Sequence, residues 1–326
     1  MRHRSPGGAG LLLAALSAAT FGTSGAFGAS LIDAGWTPGA AVTARIVAAA
    51  LMLTGPALLQ LRGQWRLLRG SSGMIAAYGL VAVAACQLCY FNAVAHLSVG
   101  VALLLEYLGT LLVVGWLWAR HGQRPRRLTI GGGVIAVAGL VLVLDLAGSH
   151  RLDPVGVLWG LGAAAGLAVY FVLSAAVDEP LPPLVMAWAA MSVGAVALLV
   201  FGLAGILPMR APLTTVELLH HRLSWLVPVL GLSLIAAVVA YVAGIGAARR
   251  LGAKVASFVG LTEVVFAVAF AWLLLGQVPA AVQFIGGTLV VVGVALVRID
   301  EFRLPAAAIR PQAGSGTTGR VSANQG

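Results

Sequence analysis

Two stretches of the chain match each other and decide its fold. Residues 115–125 read GWLWARHGQRP, and residues 269–279 read AFAWLLLGQVP. They share a tryptophan, a Gly-Gln pair and a proline, and each shared residue is separated from its counterpart by 154 residues. The match continues without a gap across 97–143 and 251–297. An internal repeat of this kind indicates that the chain is built from two copies of one structural unit.

The composition places both copies in a membrane. Of the 326 residues, 60% are hydrophobic and 9% are charged, whereas a soluble domain carries about 25% charged residues. A soluble globular enzyme is therefore excluded. Ten apolar stretches are each long enough to cross a hydrocarbon core of about 30 Å, and they are 9–30, 38–61, 73–95, 98–119, 128–146, 155–177, 184–207, 224–248, 253–274 and 279–298.

Each copy of the repeat contains five of these stretches. The first two stretches also match the sixth and seventh, more weakly and at a separation of 144 residues. Because five is an odd number of crossings, the second copy enters the membrane upside down. We predict an all-α polytopic membrane protein of ten transmembrane helices, arranged as two inverted five-helix repeats at 9–146 and 155–298. Residues 1–8 would then form a cytoplasmic N-terminus, and 299–326 a disordered cytoplasmic tail.

The positive charges predict the orientation. Sixteen of the twenty Lys and Arg residues lie on the side of the membrane that carries the N-terminus, and three lie on the other side. Positive loops stay in the cytoplasm, so we predict a multi-pass protein of the cell (inner) membrane with both termini cytoplasmic. The same bias accounts for the net charge of +10, and no nucleic-acid partner is expected. The first stretch also has features of a secretory signal, with Arg2 and Arg4 before a Leu/Ala run, but its match to 155–177 favours a membrane span.

Three ionisable residues lie inside the predicted spans. Ionisable side chains are costly in a membrane, so they are candidates for function. Arg45 and Glu106 are expected at similar depths, where they could form an ion pair, either as part of a transport site or simply to hold two helices together. Glu263 is expected near the membrane midplane, without a basic partner at its depth.

Polar and aromatic side chains surround these three positions in the sequence. Some should line a cavity, and others should bond to neighbouring helices. They are Gln87, Tyr90 and Asn92 in the third span, Tyr107 and Thr110 in the fourth, Tyr241 in the eighth, and Ser257 and Thr262 in the ninth.

Metal and catalytic motifs are weak in this chain. Cys86 and Cys89 have the spacing of a redox or zinc pair, but no second ligand pair accompanies them. His220 and His221 lie in a predicted outer loop with Glu217 nearby, and they are better explained as a solvated surface. We therefore expect no metal, no cofactor and no enzymatic activity.

The sequence resembles the drug/metabolite transporter superfamily of the EamA-repeat type. Residues 90–110 are similar to the third-to-fourth helix signature of the threonine/homoserine exporters in that superfamily, and Arg45 fits the second-helix arginine of the same group. In the second repeat, 262–266 and 272–277 are similar to the late Glu-Pro and Gly-Glu patterns of the family. The chain departs from the family at Thr110 and Val264, where proline is usual, and at Gln277, where glutamate is usual. Proline kinks helices, so its absence predicts straighter helices here.

These observations together predict a secondary active transporter that exports small polar metabolites such as amino acids in exchange for protons, by alternating access. Glu106 and Glu263 would be the protonatable pair, and Arg45 would hold a substrate carboxylate or modulate Glu106. Tyr90, Asn92, Tyr107 and Thr110 would shape the pocket. The expected partners are a small-molecule substrate, protons and the lipid bilayer, with the chain acting as a monomer or a homodimer. The alternatives are a non-transporting membrane scaffold or subunit, and a drug or lipid carrier of the same fold.

Overall fold

The chain folds into a bundle of helices with one short β-hairpin. The computed structural model describes residues 6–63, 65–121, 126–143, 153–175, 181–219 and 221–302, and within these ranges the side chains of Thr110, Ser257 and several others lie outside the description. The predicted cytoplasmic N-terminus is therefore described only from residue 6, and most of the predicted tail lies outside the described residues.

The helices follow the predicted stretches closely. The α-helices are α1 (Pro6–Asp33), α2 (Pro38–Leu61), α3 (Trp65–Gly70), α4 (Ser72–Ala77), α5 (Cys86–Val94), α6 (Val99–Tyr107), α7 (Gly109–His121), α8 (Arg127–Val143), α9 (Pro154–Ala175), α10 (Pro183–Leu203), α11 (Leu226–Leu230), α12 (Ala240–Gly260), α13 (Thr262–Leu275) and α14 (Ala281–Phe302). Two π-helical segments, π1 (Tyr78–Ala85) and π2 (Gly231–Val239), join α4 to α5 and α11 to α12.

Several of these helices have the length and composition of membrane spans. Five qualify in the described residues, at Gly8–Asp33, Pro38–Leu61, Ser72–Val94, Leu184–Leu203 and Leu226–Gly244. Four shorter apolar helices accompany them, at Arg127–Leu142, Pro154–Tyr170, Thr262–Leu275 and Ala281–Val297. The predicted fourth span is divided between α6 and α7. A helix satisfies its own backbone hydrogen bonds, which is why apolar sequence in a membrane folds this way.

The two π-helical segments occupy equivalent places in the two repeats. After π1, α5 begins at Cys86, and after π2, α12 begins at Ala240, which is 154 residues later. This is the separation found in the sequence for 97–143 and 251–297. The structure therefore extends the strong part of the repeat upstream, into the third and eighth spans. A π-helical turn is wider than an α-helical one and is frequent at functional sites.

Contacts between α8 and α14 show that the repeats are inverted. A Cβ atom added at Gly132 would lie 2.6 Å from the carbonyl oxygen of Gly293, and one added at Gly139 would lie 2.6 Å from that of Gly286. Gly132 and Gly286 are equivalent residues of the two repeats, and so are Gly139 and Gly293. Gly132 thus contacts the equivalent of Gly139, and Gly139 contacts the equivalent of Gly132. Elements related by a two-fold axis contact each other in this reciprocal way. The two helices run antiparallel, as inverted repeats require.

The repeats exchange their first helices. Helix α1 packs against π2, α12 and α13 of the second repeat, while α9 packs against π1, α5, α6 and α7 of the first. Helices α2 and α10, the second helices of the two repeats, pack against each other. Each half of the bundle is therefore made of helices from both repeats, and the region between the halves is bordered by the third and fourth helices of each repeat.

The fourth helix of each repeat is interrupted near its middle. In the first repeat α6 ends at Tyr107 and α7 begins at Gly109, and in the second α12 ends at Gly260 and α13 begins at Thr262. Both helices are therefore interrupted although neither carries a proline there. Thr110 and Val264, where the resemblance led us to expect proline, lie in the first turn of the helix that follows each interruption. The first turn is the part of a helix that accepts proline without losing an internal hydrogen bond.

Helix α12 contains the turn that was predicted between the eighth and ninth spans. The helical range continues through residues 249–252, where a loop was expected. Successive contacts along α1 are Ser17 with Ala240, Gly10 with Leu251, and Gly22 with Phe266. From Ala240 to Leu251 the chain therefore runs toward the N-terminal end of α1. Between Leu251 and Phe266 it reverses direction and runs toward the C-terminal end of α1.

A β-hairpin between α10 and α11 departs from the all-α prediction. Strands β1 (Thr215–Leu218) and β2 (His221–Ser224) pair antiparallel, with Thr215 opposite Ser224. Alternate residues Val216 and Leu218 are buried, as expected for a strand with one face on the bundle. The backbone N–H of Leu219 donates to the carbonyl of Leu274 over 3.0 Å and fixes the hairpin to the end of α13.

An ion pair connects the two repeats at the start of α9. Nδ1 of His96 lies 2.6 Å from Oδ2 of Asp153, and the other carboxylate oxygen of Asp153 accepts a hydrogen bond from the backbone N–H of Val155 over 2.9 Å. The Val155 N–H, assisted by His96, holds the pKa of Asp153 below its usual range. Asp153 therefore caps α9 and holds it to the loop between α5 and α6.

Candidate functional site

A small cavity lies where helices of the two repeats meet. Its volume is about 30 Å³, which is room for on the order of two water molecules. Its lining comes from α1, α5, α6 and α13, and consists of Phe21, Ser24, Gln87, Tyr90, Leu103, Glu106, Glu263 and Ala267. Both of the predicted protonatable residues therefore face the same space.

Glu106 reaches the cavity from the end of α6. Its side chain is buried, and its Oε1 accepts a hydrogen bond from Sγ of Cys86 over 3.4 Å. The same thiol lies 3.5 Å from the carbonyl oxygen of Ala163 in α9. A Cβ atom at Gly166 would lie 2.7 Å from Cβ of Cys86, so the close approach of α9 fixes the thiol and, through it, Glu106.

Glu263 reaches the cavity from the first turn of α13. Its Oε2 lies 3.0 Å from the hydroxyl of Tyr107, which also lies 3.0 Å from the carbonyl oxygen of Gly260. Tyr107 is the last residue of α6 and Gly260 the last of α12. The phenol therefore connects the interruption in one repeat to the interruption in the other. Discontinuous helices that meet in this way are typical of transporter binding sites.

Arg45 lies behind the cavity wall and donates three hydrogen bonds there. It is 1% exposed, and its Nη1 donates to Oγ of Ser24 over 2.8 Å and to Oε1 of Gln87 over 2.6 Å. Its Nη2 donates to the carbonyl oxygen of Ala236 in π2 over 2.7 Å. The guanidinium carbon also lies 5.8 Å from the centre of the Phe91 ring.

The predicted ion pair between Arg45 and Glu106 is not formed. In the part of the chain that the structure describes, the basic nitrogen and carboxylate oxygen that lie within 4.0 Å of each other belong to His96 and Asp153. Arg45 instead uses neutral acceptors, and two of those acceptors, Ser24 and Gln87, are the residues that line the cavity. Arg45 therefore positions two side chains of the cavity lining but does not line the cavity itself.

The other predicted site residues divide into two groups. Gln87 and Tyr90 line the cavity, and Tyr241 packs edge-on against Phe21 at 5.0 Å between ring centres. Asn92 and Thr262 instead bond to nearby backbone carbonyl groups. Nδ2 of Asn92 donates to the carbonyl of Leu88 within α5 over 2.7 Å, and the hydroxyl of Thr262 donates to the carbonyl of Val259 in α12, across the interruption, over 2.6 Å. The side chains of Thr110 and Ser257 lie outside the described residues.

Sequence reasoning missed five contributors to this region. Phe21, Ser24, Leu103 and Ala267 line the cavity, and Cys86 donates a hydrogen bond to Glu106. A signal was available for α1, since Ser17, Thr20, Thr23 and Ser24 place four hydroxyl groups inside an apolar span. For Cys86 the available signal was its spacing to Cys89, but the thiol acts here as a hydrogen-bond donor. In the described residues no group of three His, Cys, Asp or Glu side chains could hold a metal ion.

Comparison with known proteins identifies the family. The EamA-like transporter family matches this chain twice, over residues 8–145 and 154–299. The chain belongs to that family. The family comprises EamA-like transporters of the drug/metabolite transporter superfamily, and its two matches correspond to the two inverted repeats of this fold.

Individual relatives agree with this assignment. Over 140 residues the transporter is 33% identical to an uncharacterized transporter, YwfM, of Bacillus subtilis (strain 168). That match covers 37% of this chain and 47% of the relative, so it spans about half of the relative's length. One solved crystal structure matches 91% of this chain and 98% of its own with a TM-score of 0.59 at 21% identity, which shows a shared fold.

Proposed function

We propose that the protein is a secondary active transporter that exports small polar metabolites, such as amino acids, in exchange for protons. The observation that carries the proposal is that Glu106 of the first repeat and Glu263 of the second line one cavity. A pair of carboxyl groups in an apolar bundle can hold either protons or a cationic group of a substrate. Competition between the two for the same oxygens would couple export to proton entry.

Alternating access follows from the symmetry of the bundle. The two inverted repeats are built alike, so an arrangement open to one side of the membrane has an equivalent arrangement open to the other. The present cavity of about 30 Å³ is too small for a whole metabolite. Substrate binding therefore requires the two halves to separate around Glu106 and Glu263.

We further propose that the protein lies in the cell membrane with both termini in the cytoplasm. The excess of Lys and Arg on the side of the N-terminus supports this orientation. Both carboxyl groups come from one chain, so a monomer contains the whole site. A homodimer would add no residue that the proposed exchange needs.

The proposal is tested by efflux from proteoliposomes. Purified protein is reconstituted in vesicles loaded with a mixed pool of amino acids and related metabolites, and efflux is followed by mass spectrometry with and without an imposed pH gradient. We expect selective loss of some metabolites, faster with the external pH lowered. A vesicle preparation with Glu263→Gln gives the matched control, because glutamine keeps the size and the hydrogen-bond acceptor but cannot carry the proton.

Three other outcomes would change the proposal. Loss that ignores the pH gradient would remove proton exchange while leaving transport intact. Loss only of apolar compounds would indicate a drug or lipid carrier of the same fold. No loss of any compound, together with no thermal stabilisation by any of them in detergent, would favour a scaffold.

A further inference from the structure

We propose that the cavity recognises an ammonium group and has no site for a carboxylate, so that organic amines are carried in preference to the corresponding amino acids. This inference rests on the proposed transport function and narrows its substrate class. It follows from how Arg45 is used, which the sequence alone could not show.

Arg45 is withdrawn from the cavity by its own contacts. It is 1% exposed and donates to Ser24, Gln87 and the carbonyl of Ala236, at 2.8, 2.6 and 2.7 Å. Arg45 is not among the side chains that line the cavity, so a carboxylate held there would meet Ser24 and Gln87 and not the guanidinium itself. Among the described residues, no Lys, Arg or His lines the cavity.

The remaining lining is suited to a cation. Glu106 and Glu263 bring two carboxyl groups into the cavity. A substrate carboxylate placed beside them would be repelled, and specificity often comes from such an unfavourable contact. The neutral donors in the lining, the hydroxyls of Ser24 and Tyr90 and the amide of Gln87, do not supply a compensating charge.

Tyr90 supplies a second and independent observation. Its side chain is 4% exposed and lines the cavity, and among the described residues no side chain or carbonyl group forms a hydrogen bond with its hydroxyl. The hydroxyl is therefore available to a ligand in the cavity.

The number and size of the groups agree with a primary ammonium. An ammonium group carries three N–H donors. Five lining side chains carry acceptor oxygens; those of Ser24 and Gln87 already accept from Arg45, which leaves Glu106, Glu263 and Tyr90. The volume of about 30 Å³ accommodates a group of about the size of two water molecules. The present cavity thus fits the head group of an amine, while the rest of the substrate needs the opened form.

The test compares an amine with the amino acid from which it differs by one carboxyl group. Proteoliposomes are loaded with tyramine or tyrosine, and in a second pair with histamine or histidine, under an imposed pH gradient. We expect each amine to leave at least about tenfold faster than its amino acid, since each 1.4 kcal/mol of discrimination corresponds to a factor of ten. Binding is measured independently as thermal stabilisation in detergent, where the amine should stabilise the protein and the amino acid should not.

Variants show whether the proposed acceptors are used. Tyr90→Phe removes only the unpartnered hydroxyl and should weaken tyramine binding by about three- to tenfold. Glu217→Gln, on the exposed face of the hairpin, changes one carboxyl group far along the chain from the cavity and should leave tyramine binding unchanged.

The outcomes separate this inference from the proposed function. Gradient-driven efflux of tyrosine or histidine as fast as that of the amines would overturn the inference and leave the transport function standing. Unchanged tyramine binding in Tyr90→Phe would also overturn it. If neither member of either pair moves, and no other metabolite of the mixed pool moves, the inference and the proposed function fail together.

Discussion

The two interrupted helices have the same backbone design but different chemistry. In the first repeat the interruption follows Tyr107, and Glu106 lies just before it. In the second repeat it follows Gly260, and Glu263 lies just after it. The residue equivalent to Glu106 is Gly260, and the one equivalent to Glu263 is Gly109. Duplication has therefore kept the place of the interruption, while the carboxyl groups lie on opposite sides of it.

Packing explains part of this difference. A Cβ atom at Gly109 would collide with the carbonyl oxygen of Ala164, so the first repeat has no room there for a glutamate. At Gly260 nothing lies within 4 Å of such an atom, and its carbonyl oxygen is used by Tyr107 instead. The two interruptions are equivalent in the backbone, but contact with α9 excludes a carboxyl side chain at Gly109 in the first repeat, whereas no such contact acts at Gly260 in the second.

The largest expected effect is the loss of gradient-driven transport in Glu263→Gln. Glutamine still accepts the hydrogen bond from Tyr107, so the fold should be kept while the exchangeable proton is lost. Glu106→Gln should have the same result, because the proposed exchange needs both carboxyl groups. Efflux from proteoliposomes under a pH gradient measures both, with Glu217→Gln as the control for a change of charge.

Different transport activities of the two glutamine variants would distinguish the roles of the two interruptions. If one of the two variants still transports with coupling to the gradient, that interruption serves only as structure, and the proton is carried by the other. If both transport normally, neither carboxyl group belongs to the mechanism. Melting temperatures in detergent close to that of the original protein are needed for either conclusion.

The repeat and the apolar spans were readable from the sequence because they depend on composition and spacing. The partners of Arg45 were not, and neither was the difference between Tyr90, which lines the cavity, and Asn92, which bonds to its own helix. A helix that is apolar all round carries no stripe to show which face turns inward. The sequence therefore predicts where a polar residue lies along its helix, but not which face of the helix carries its side chain. That face decides which side chains share a cavity.

The next largest effect is expected at Arg45, which also distinguishes the repeats, because its equivalent is the buried Ala189. Arg45→Ala leaves Ser24, Gln87 and the Ala236 carbonyl without their donor. We expect destabilisation of about 2 kcal/mol or more, since each buried acceptor left unpaired costs about 1–3 kcal/mol. Thermal unfolding in detergent measures it.

A double-mutant cycle identifies the true partner of Arg45. Combining Arg45→Ala with Gln87→Ala should show a coupling of at least about 0.5 kcal/mol, as expected for residues in contact. Combining Arg45→Ala with Glu106→Gln should restore no stability, because no ion pair joins the two. Rescue by Glu106→Gln would mean that a buried charge had been stranded and that the two residues pair after all.

A smaller effect is expected when the connection between the two interruptions is cut. Tyr107→Phe removes the hydroxyl that lies between Glu263 and Gly260. Hydrogen bonds between membrane helices contribute about 0.6 kcal/mol on average and up to about 1.7 kcal/mol, so the loss of stability should stay within that range. Transport should fall more than stability, since Glu263 loses the group that orients it. A drop in melting temperature with unchanged transport would give Tyr107 a structural role alone.

The smallest effect is expected when the family's prolines are restored. Thr110→Pro and Val264→Pro place proline at the second and third positions of α7 and α13, in the first turn of each helix, where proline is tolerated best. Val264→Pro also removes the bond from the Val264 N–H to the carbonyl of Leu261 over 3.2 Å. Thr110→Pro should therefore cost less than about 1 kcal/mol, and Val264→Pro about 1 kcal/mol. Gly115→Pro is the matched control, because nothing lies within 4 Å of a Cβ atom there, so its cost reflects the backbone of the α7 interior and should be about 3 kcal/mol. Equal costs at the three positions would mean that the interruptions do not begin new helices.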